Sequence, residues 1–298
     1  MVLEKVVLIA VVILAVLVVL YFLAIMPRVT KKPSRVPFVG KMYAHRGLHD
    51  NKSDAPENSM KAFRKAVDAG YGIELDIQLS KDGIPVIFHD FTLARVARYP
   101  RGAEPVDAVI NEDGSTGVKG KVCDYTFAEL ETFHLMDSEE KIPTFEEFLK
   151  LVDDRVPLII ELKIELLDMS VCQKADQMLR DYKGLYCIES FNPLGLFWYR
   201  RNHREVMRGQ LSDAFHKEDP EAFRGPLYFA LTNLLFNFMT KPDFVAYNYH
   251  YAGNLSRRLC RGLFHNVAAA WTIKDQAALN ESRRNFDIFI FDSFIPSD

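Results

Sequence analysis

Residues 72–90 read GIELDIQLSKDGIPVIFHD, and this stretch decides the fold class. The first run, Gly72 to Ile77, predicts a strand on which Glu74 and Asp76 are two positions apart, so both carboxylates leave the same face. A second run, Ile84 to Phe88, predicts another strand and ends at a polar His-Asp pair. Strands that end in polar residues are typical of α/β folds with parallel sheets.

The alternation of strands and helices continues on both sides of this stretch. Further strands are predicted at Met42 to His45, Val156 to Glu161, Leu185 to Ser190, Glu205 to Leu211, Asp243 to Tyr247, Asn266 to Trp271 and Asp287 to Phe291. Helices are predicted between them, for example at Ser59 to Ala69, Thr144 to Val152, Asp168 to Tyr182, Pro193 to Asn202, Asn254 to Gly262 and Lys274 to Arg284. This rhythm predicts one α/β domain over residues 41–298, a (β/α)8 TIM-type barrel, with an open doubly wound sheet as the alternative.

Two segments break the rhythm. Residues 96–124 contain four glycines among charged residues without a sustained period, which predicts an insertion or lid. Residues 227–239 are almost wholly apolar but too short to span a bilayer. For this second segment we favour a buried helix over an interfacial helix.

Composition sets the limits on function. The chain has 298 residues, 49% of them apolar and 26% charged, with a formal net charge of -3. These values exclude a disordered chain, and the absence of a basic block excludes nucleic acid as a partner. Four cysteines lie far apart without a C-x-x-C pair, so we expect small buried residues rather than a zinc site: Cys123, Cys172, Cys187 and Cys260.

The N-terminus carries an uninterrupted apolar run. Residues 6–26 contain no charge and are long enough to cross a bilayer as a helix, followed by a linker at residues 27–40. The alternative, a cleaved signal peptide, lacks an A-x-A site. Residues 1–35 carry a net charge of +4, mostly after the span, and the rest of the chain carries -7. The positive flank predicts a single-pass protein of the cell membrane with its catalytic domain on the cytoplasmic side.

Polar residues at the predicted strand ends describe a reactive site. Three carboxylates that face one point, Glu74, Asp76 and Glu161, are expensive to bury without a cation, and they suit a hard divalent metal: Mg²⁺ or Ca²⁺, with Mn²⁺ as a further alternative. Arg46 and Lys163 can hold a phosphate or a carboxylate, and His45 and His89 can exchange protons near neutral pH. Together these residues predict a metal-assisted phosphoryl site.

These motifs also carry a family resemblance. His45-Arg46-Gly47, Pro56-Glu57-Asn58-Ser59, Glu74-Leu75-Asp76, Asp82-Gly83-Ile84-Pro85-Val86 with His89-Asp90, and Glu161-Leu162-Lys163 resemble the glycerophosphodiester phosphodiesterase family, here as a membrane-anchored member of bacterial type. The resemblance covers residues 41–298 and implies a barrel that hydrolyses glycerophosphodiesters to glycerol 3-phosphate and an alcohol with a divalent metal.

The resemblance also assigns roles. It implies Glu74, Asp76 and Glu161 as metal ligands, His45 and His89 as the acid-base pair, and Arg46 and Lys163 as phosphate contacts. By the same resemblance Trp271, and more weakly Phe191, line the substrate side of the pocket. The last strand departs from the family pattern, which leaves the role of Asp292 open, and His49 is read as a surface residue rather than a substrate contact.

Two other functions remain open at this point. A barrel phospholipase of the C or D kind, acting on lysolipids or membrane lipids, fits the anchor and the apolar residues 227–239. A membrane-tethered binding protein without activity is the alternative from another class, although the full set of carboxylates and histidines argues against it.

Overall fold

The computed structural model describes residues 2–103, 108–165, 167–215 and 225–297, and within them the chain forms thirteen strands and ten α-helices. The strands are β1 Met42–His45, β2 Gly72–Leu79, β3 Pro85–Ile87, β4 Ala97–Arg98, β5 Ala108–Ile110, β6 Thr116–Val118, β7 His134–Leu135, β8 Leu158–Leu162, β9 Tyr186–Ser190, β10 Arg208–Ser212, β11 Phe244–Asn248, β12 Val267–Ile273 and β13 Ile288–Phe291. The helices are α1 Val2–Ile25, α2 Met60–Asp68, α3 Phe127–Leu130, α4 Phe145–Val152, α5 Ser170–Leu179, α6 Pro193–Asn202, α7 Pro226–Thr232, α8 Asn237–Thr240, α9 Leu255–Gly262 and α10 Gln276–Ser282.

Eight strands, β1, β2 and β8 to β13, close into a parallel barrel because β1 pairs with both β2 and β13. Tyr43 lies opposite Gly72 in this seam, and a Cβ at position 72 would stand 2.5 Å from the Tyr43 ring, so the seam requires glycine there. The predicted (β/α)8 barrel is confirmed, and the open doubly wound alternative is wrong. We call the end at which the parallel strands finish the mouth, and the opposite end the base.

The strand predicted at Ile84 to Phe88 is not part of the parallel barrel. β3 runs antiparallel to the end of β2, with Ile87 opposite Ile77, so it is a flap on the barrel rather than one of its eight strands. The Phe88 amide donates to the Asp76 carbonyl, and the chain therefore returns to the mouth just before His89.

The segment between β3 and β8 is a small module with its own apolar core. The short strands β4 and β7 pair with each other, as do β5 and β6, over a buried cluster that includes Phe88, Leu93, Leu130 and Phe133. The predicted insertion at 96–124 lies in this module, and its residues 104–107 fall outside the described residues.

The apolar residues 227–239 form two short helices, α7 and α8, rather than one buried helix. Leu227 is 54% exposed and Phe229 is 66% exposed, so the expectation of burial is wrong for α7. α7 lies at the mouth, where the Ser212 hydroxyl at the end of β10 donates to the Leu231 carbonyl. α8 lies at the base, where the buried Arg208 at the start of β10 donates to the Thr240 carbonyl.

α1 is the one helix among the described residues that is long and apolar enough to cross a membrane. It begins four residues earlier than predicted, and residues 2–20 project from the protein, whereas Ile25 is wholly buried against the barrel wall. The linker continues across the base, where Arg28 and Arg35 donate to the carbonyls of Arg204 and His265.

The cysteines follow the prediction with one exception. Cys172, Cys187 and Cys260 are buried, as expected for small apolar residues, whereas Cys123 is exposed in the module.

Candidate active site

The predicted site residues meet at the mouth because neighbouring strands hold them in register. His45, the last residue of β1, lies opposite Glu74 on β2, and Asp76 lies opposite Glu161 on β8. Glu161 in turn lies opposite Glu189 on β9, so acidic side chains come from three adjacent strands. All four carboxylates are at most 5% exposed.

Cations lie directly against this acidic cluster. Lys163 Nζ is 3.0 Å from Glu161 Oε1 and 3.6 Å from Asp76 Oδ1. Arg46 Nε is 3.6 Å from Asp76 Oδ2. The two residues predicted to contact phosphate therefore border the carboxylates, where they can hold an anion next to a bound metal.

The carboxyl groups of this cluster differ in the direction of their pKa shifts. Burial together with the neighbouring carboxylates raises the pKa of Glu74 and of Glu189 well above the ordinary range. Burial also raises the pKa of Glu161, although Lys163 opposes it. At Asp76 burial is outweighed by His89, Lys163, Arg46 and His45, and the pKa falls far below its usual range. Asp76 is thus the permanently charged member of the cluster.

The site can hold a divalent cation. Candidate ligand atoms of Asp76, Glu161 and His89 all lie within 4.8 Å of one another. Asp76 Oδ1 and Glu189 Oε2 are buried and accept no hydrogen bond, although Lys163 Nζ lies 3.6 Å from the Asp76 oxygen. Glu74, the third predicted ligand, has Oε2 3.4 Å from the Arg46 amide nitrogen and 3.8 Å from His45 Nε2. The carboxylate oxygens of Asp76 and Glu161 suit a hard cation, whereas His89 contributes a ring nitrogen to this group and Glu74 lies outside it.

The Pro56 to Ser59 motif supports the site from behind. Asn58 Nδ2 donates to Asp76 Oδ2 at 3.1 Å, and Glu57 Oε1 accepts from Arg46 Nη1 at 2.8 Å. Ser59 caps α2 through the Ala62 amide. Gly47, beside Arg46, has a φ of +85°, and a Cβ there would stand 2.8 Å from the Ala62 backbone, so only glycine lets α2 approach this closely.

His89 is held by its neighbour in sequence. Its Nδ1 lies 2.6 Å from Asp90 Oδ1, and Arg95 donates to the other Asp90 oxygen at 2.6 Å. Burial raises the pKa of the Asp90 carboxyl, but the contacts with His89 and Arg95 outweigh it and lower this pKa to about 2, so the carboxylate is charged beside the His89 ring. Arg95 also donates to both oxygens of Glu57, so it connects the His89-Asp90 motif to the Pro56 to Ser59 motif.

His45 belongs to a second cluster with His49 and Asp292. Asp292 lies 3.6 Å from His45 Nδ1 and 3.1 Å from His49 Nε2. Burial, with help from the Arg46 charge, lowers the pKa of His45 to about 4, so its imidazole is neutral at pH 7. Asp292, which follows the last strand, therefore lies next to His45 at the end of the first strand. His49 is a partner of Asp292 rather than a surface residue.

An aromatic wall lines the other side of the mouth. Phe191 and Trp271 meet edge to face with ring centroids 5.7 Å apart. Phe215 packs on Phe191, and Tyr228 of α7 packs on Phe215, at 5.7 and 5.6 Å. The wall thus runs from the site to the exposed helix α7.

Sequence reasoning missed two residues that the structure brings to the site, Glu189 and Arg95, and left the role of Asp292 open. Glu189 had a usable signal, because it directly precedes Ser190-Phe191 at a predicted strand end. Arg95 had no comparable signal, and Asp292 could not be given a role, since their partners are distant in sequence.

Comparison with known proteins agrees with this geometry. The family model described as "Glycerophosphoryl diester phosphodiesterase family" matches residues 45–282. A glycerophosphodiester phosphodiesterase of Bacillus altitudinis is 36% identical over 132 residues, 42% of this chain and 45% of its own length. One of Caldanaerobacter subterraneus subsp. tengcongensis is 33% identical over 164 residues, 51% of this chain and 58% of its own. The matches thus span about half the length of these curated relatives.

A solved structure supports the fold. An Oleispira antarctica phosphodiesterase, in complex with the product sn-glycerol-3-phosphate, superposes with a TM-score of 0.62 at 23% identity. The match covers 85% of this chain and 93% of that protein.

Proposed function

Because the chain belongs to the glycerophosphoryl diester phosphodiesterase family, we propose that it hydrolyses glycerophosphodiesters to glycerol 3-phosphate and an alcohol. One observation carries the proposal: two histidines, two cations and a buried carboxylate cluster converge at one end of the barrel, within the matched residues. The joint presence of both histidines, both cations and the carboxylates in one site argues against a binding protein without activity.

A divalent cation, Mg²⁺ or Ca²⁺ with Mn²⁺ as a further alternative, would be held by Asp76 and Glu161 with Glu74 as the third ligand. When bound, it supplies Lewis-acid stabilisation of the phosphate charge. Support comes from Asp76 Oδ1, which accepts no hydrogen bond, and from the burial and neighbouring carboxylates that raise the pKa of Glu74.

The chain's own residues would divide the remaining work. Arg46 and Lys163 hold the phosphate oxygens, and Trp271 and Phe191 contact the glycerol side. His45, neutral at pH 7, removes a proton from the attacking hydroxyl through one ring nitrogen while Asp292 holds the other. His89, oriented by its contact with Asp90, protonates the departing alkoxide. The nucleophile is either water or the neighbouring glycerol hydroxyl.

A product assay tests the proposal. The chelated protein is supplied with each metal in turn and with a panel of glycerophosphodiesters that differ in headgroup, and released glycerol 3-phosphate is measured. Metal-restored release supports the proposal, whereas a folded protein that hydrolyses no diester under any metal contradicts it.

Hydrolysis of lysolipids is the second candidate function. The aromatic wall leads from the site to the exposed apolar residues of α7, which favours a substrate with an apolar part. Comparison of a water-soluble deacylated diester with a lysolipid in micelles separates the two activities.

We also propose that α1 anchors the protein in the cell membrane as a single-pass helix, with the barrel on the cytoplasmic side. Support comes from the length of α1 and from the four cations that follow it. Protease treatment of intact cells tests the side, since digestion of the barrel from outside contradicts it.

A further inference from the structure

The direction of α1 on the barrel wall is set by four contacts. Tyr21 Oη lies 2.8 Å from Ser256 Oγ, in the first turn of α9. One turn later, the Ile25 carbonyl accepts from Asn237 Nδ2 at 3.0 Å and from Cys260 Sγ at 3.3 Å. The Met26 carbonyl then accepts from Lys241 Nζ at 3.0 Å.

These partners lie at different heights on the barrel. Ser256 follows β11 and therefore lies towards the mouth, whereas Lys241 precedes β11 and lies at the base. Residues 21–26 thus descend from mouth to base, and the preceding residues of α1 extend away from the protein on the mouth side. Residues 2–20 extend about 28 Å at 1.5 Å per residue, close to the thickness of a hydrocarbon core of about 30 Å, and Glu4 and Lys5 lie at the far end of this stretch.

We propose that the mouth of the barrel faces the bilayer that α1 crosses, and that exposed apolar residues around the mouth contact the lipid. The inference rests on the proposed function in one respect, since the opening that faces the lipid is the proposed catalytic one.

The surface around the mouth suits a lipid partner. Leu227 and Phe229 on α7 and Leu255 at the start of α9 are 54%, 66% and 60% exposed. Ile295, which follows β13, is 71% exposed. These side chains follow different strands of the barrel at its mouth. Exposed apolar residues also occur at the base, so the direction of α1 decides which end meets the membrane.

The contacts of α1 argue against a segment that is removed from the mature protein. Ile25 is wholly buried, and its carbonyl accepts the side-chain amide of Asn237, which is also wholly buried. Cleavage after α1 would expose this groove and leave the Asn237 amide without its partner.

α9 offers a matched pair of probes for the experiment. Leu255 and Leu263 flank the two ends of the helix with similar exposure, 60% and 55%, but one lies at the mouth and the other at the base. Leu255→Cys and Leu263→Cys are made in the full chain with the exposed Cys123 changed to Ser, and each is labelled with an environment-sensitive fluorophore. The proteins are reconstituted into vesicles of phosphatidylcholine and phosphatidylglycerol, with and without lipids that carry a quencher near the headgroup.

We expect lipid quenching to be at least about twofold stronger at position 255 than at position 263, because interfacial side chains enter the headgroup region. A second pair, Phe229→Cys and Leu185→Cys, repeats the comparison on other elements and should give the same order. Equal quenching, stronger quenching at the base, or quenching at neither position overturns the proposal, as does a mature protein whose mass lacks α1.

Turnover of a water-soluble glycerophosphodiester is measured on the same samples. Absence of turnover in the unsubstituted chain would contradict the proposed function without affecting the quenching result. The quenching order can likewise fail while turnover persists, so the two failures are distinguishable.

Discussion

The two sides of the barrel mouth are built from different chemistry. The polar side, defined by His45, Arg46, Asp76, His89, Glu161 and Lys163, comes from β1, β2, β8 and the residues after β3. The aromatic side, defined by Phe191, Phe215, Tyr228 and Trp271, comes from the strand ends and loops of β9 to β12. Only the polar side can stabilise charge that develops during a reaction, whereas the aromatic side offers contact area and excludes water.

This division predicts that substitutions on the polar side lower kcat and that those on the aromatic side raise KM. A substitution with the opposite effect would show that the two sides do not work separately.

The histidines should give the largest effect. We expect His45→Ala or His89→Ala to lower kcat by about 10² to 10⁴, because each removes one proton transfer. Release of glycerol 3-phosphate and thermal unfolding are measured together, with the exposed His250→Ala as the control. Turnover close to that of the unsubstituted protein in either variant contradicts the assignment.

Asp76 should link the polar side to the metal. Asp76→Asn removes the charged carboxylate that lies between Arg46 and Lys163, and we expect divalent-metal affinity to fall more than about tenfold, since even indirect partners of a metal site are worth that much. Calorimetric titration of the chelated protein with Mg²⁺ or Ca²⁺ measures the change, and Asp68→Asn on the surface is the control. Unaltered binding would place the metal elsewhere.

Asp292 should act through His45 and have a smaller effect. Burial and the Arg46 charge lower the pKa of His45, and the Asp292 carboxylate 3.6 Å away opposes this shift. Asp292→Asn should therefore lower that pKa further, move the acidic limb of the pH–rate profile to lower pH and reduce kcat by about tenfold. An acidic limb that stays in place would show that His45 is not the base.

The aromatic side should change binding alone. We expect Trp271→Phe and Phe191→Leu to raise KM a few fold with kcat nearly constant, because they weaken ground state and transition state equally. Phe197→Leu, on the outer helix α6, serves as the control. A loss of kcat without a change in KM would remove the distinction between the two sides.

Glu189 should give the smallest effect, on stability rather than turnover. Its folded pKa lies well above the ordinary value of 4.5, so the folded metal-free protein holds a proton that the unfolded chain has released. The free energy of unfolding then falls as pH rises above that value. His45 acts in the opposite direction only below its ordinary pKa of 6.5, which leaves pH 6.5 to 8 as the informative window.

In that window Glu189→Gln should raise the melting temperature of the chelated protein at pH 8 by about 2 °C and make its decline with pH shallower. Differential scanning fluorimetry across the pH series measures both quantities. A Glu189→Gln variant with a lower melting temperature at pH 8 would show that the buried Glu189 carboxylate does not destabilise the folded protein.

Local pattern explains what the sequence predicts well. Alternating apolar residues mark the strands, and strand ends in a parallel barrel meet at one end, so Glu74, Asp76 and Glu161 could be grouped without a structure. The same reasoning named the two histidines and both cations of the polar side.

Features that depend on pairing were not predictable from these patterns. The antiparallel sense of β3 follows from its pairing with β2, and Asp292 reaches His45 only because the last strand pairs with the first. Arg95 finds Glu57 across 38 positions of sequence. The burial predicted for residues 227–239 was wrong for α7 because hydropathy does not distinguish a core helix from a surface helix with exposed Leu227 and Phe229.

The seam between β1 and β13 has a consequence for biosynthesis. Met42 pairs with Phe289, so the barrel cannot close until almost the whole chain has left the ribosome. The groove that holds Ile25 also forms late in synthesis, because Asn237 and Cys260 are part of it. On the proposed insertion of α1 into the membrane, the nascent chain would stay attached to the lipid with an open barrel until its C-terminus is synthesised. Contacts of such long sequence separation slow folding, and the proposed anchor would keep the unpaired strands next to the lipid during that delay.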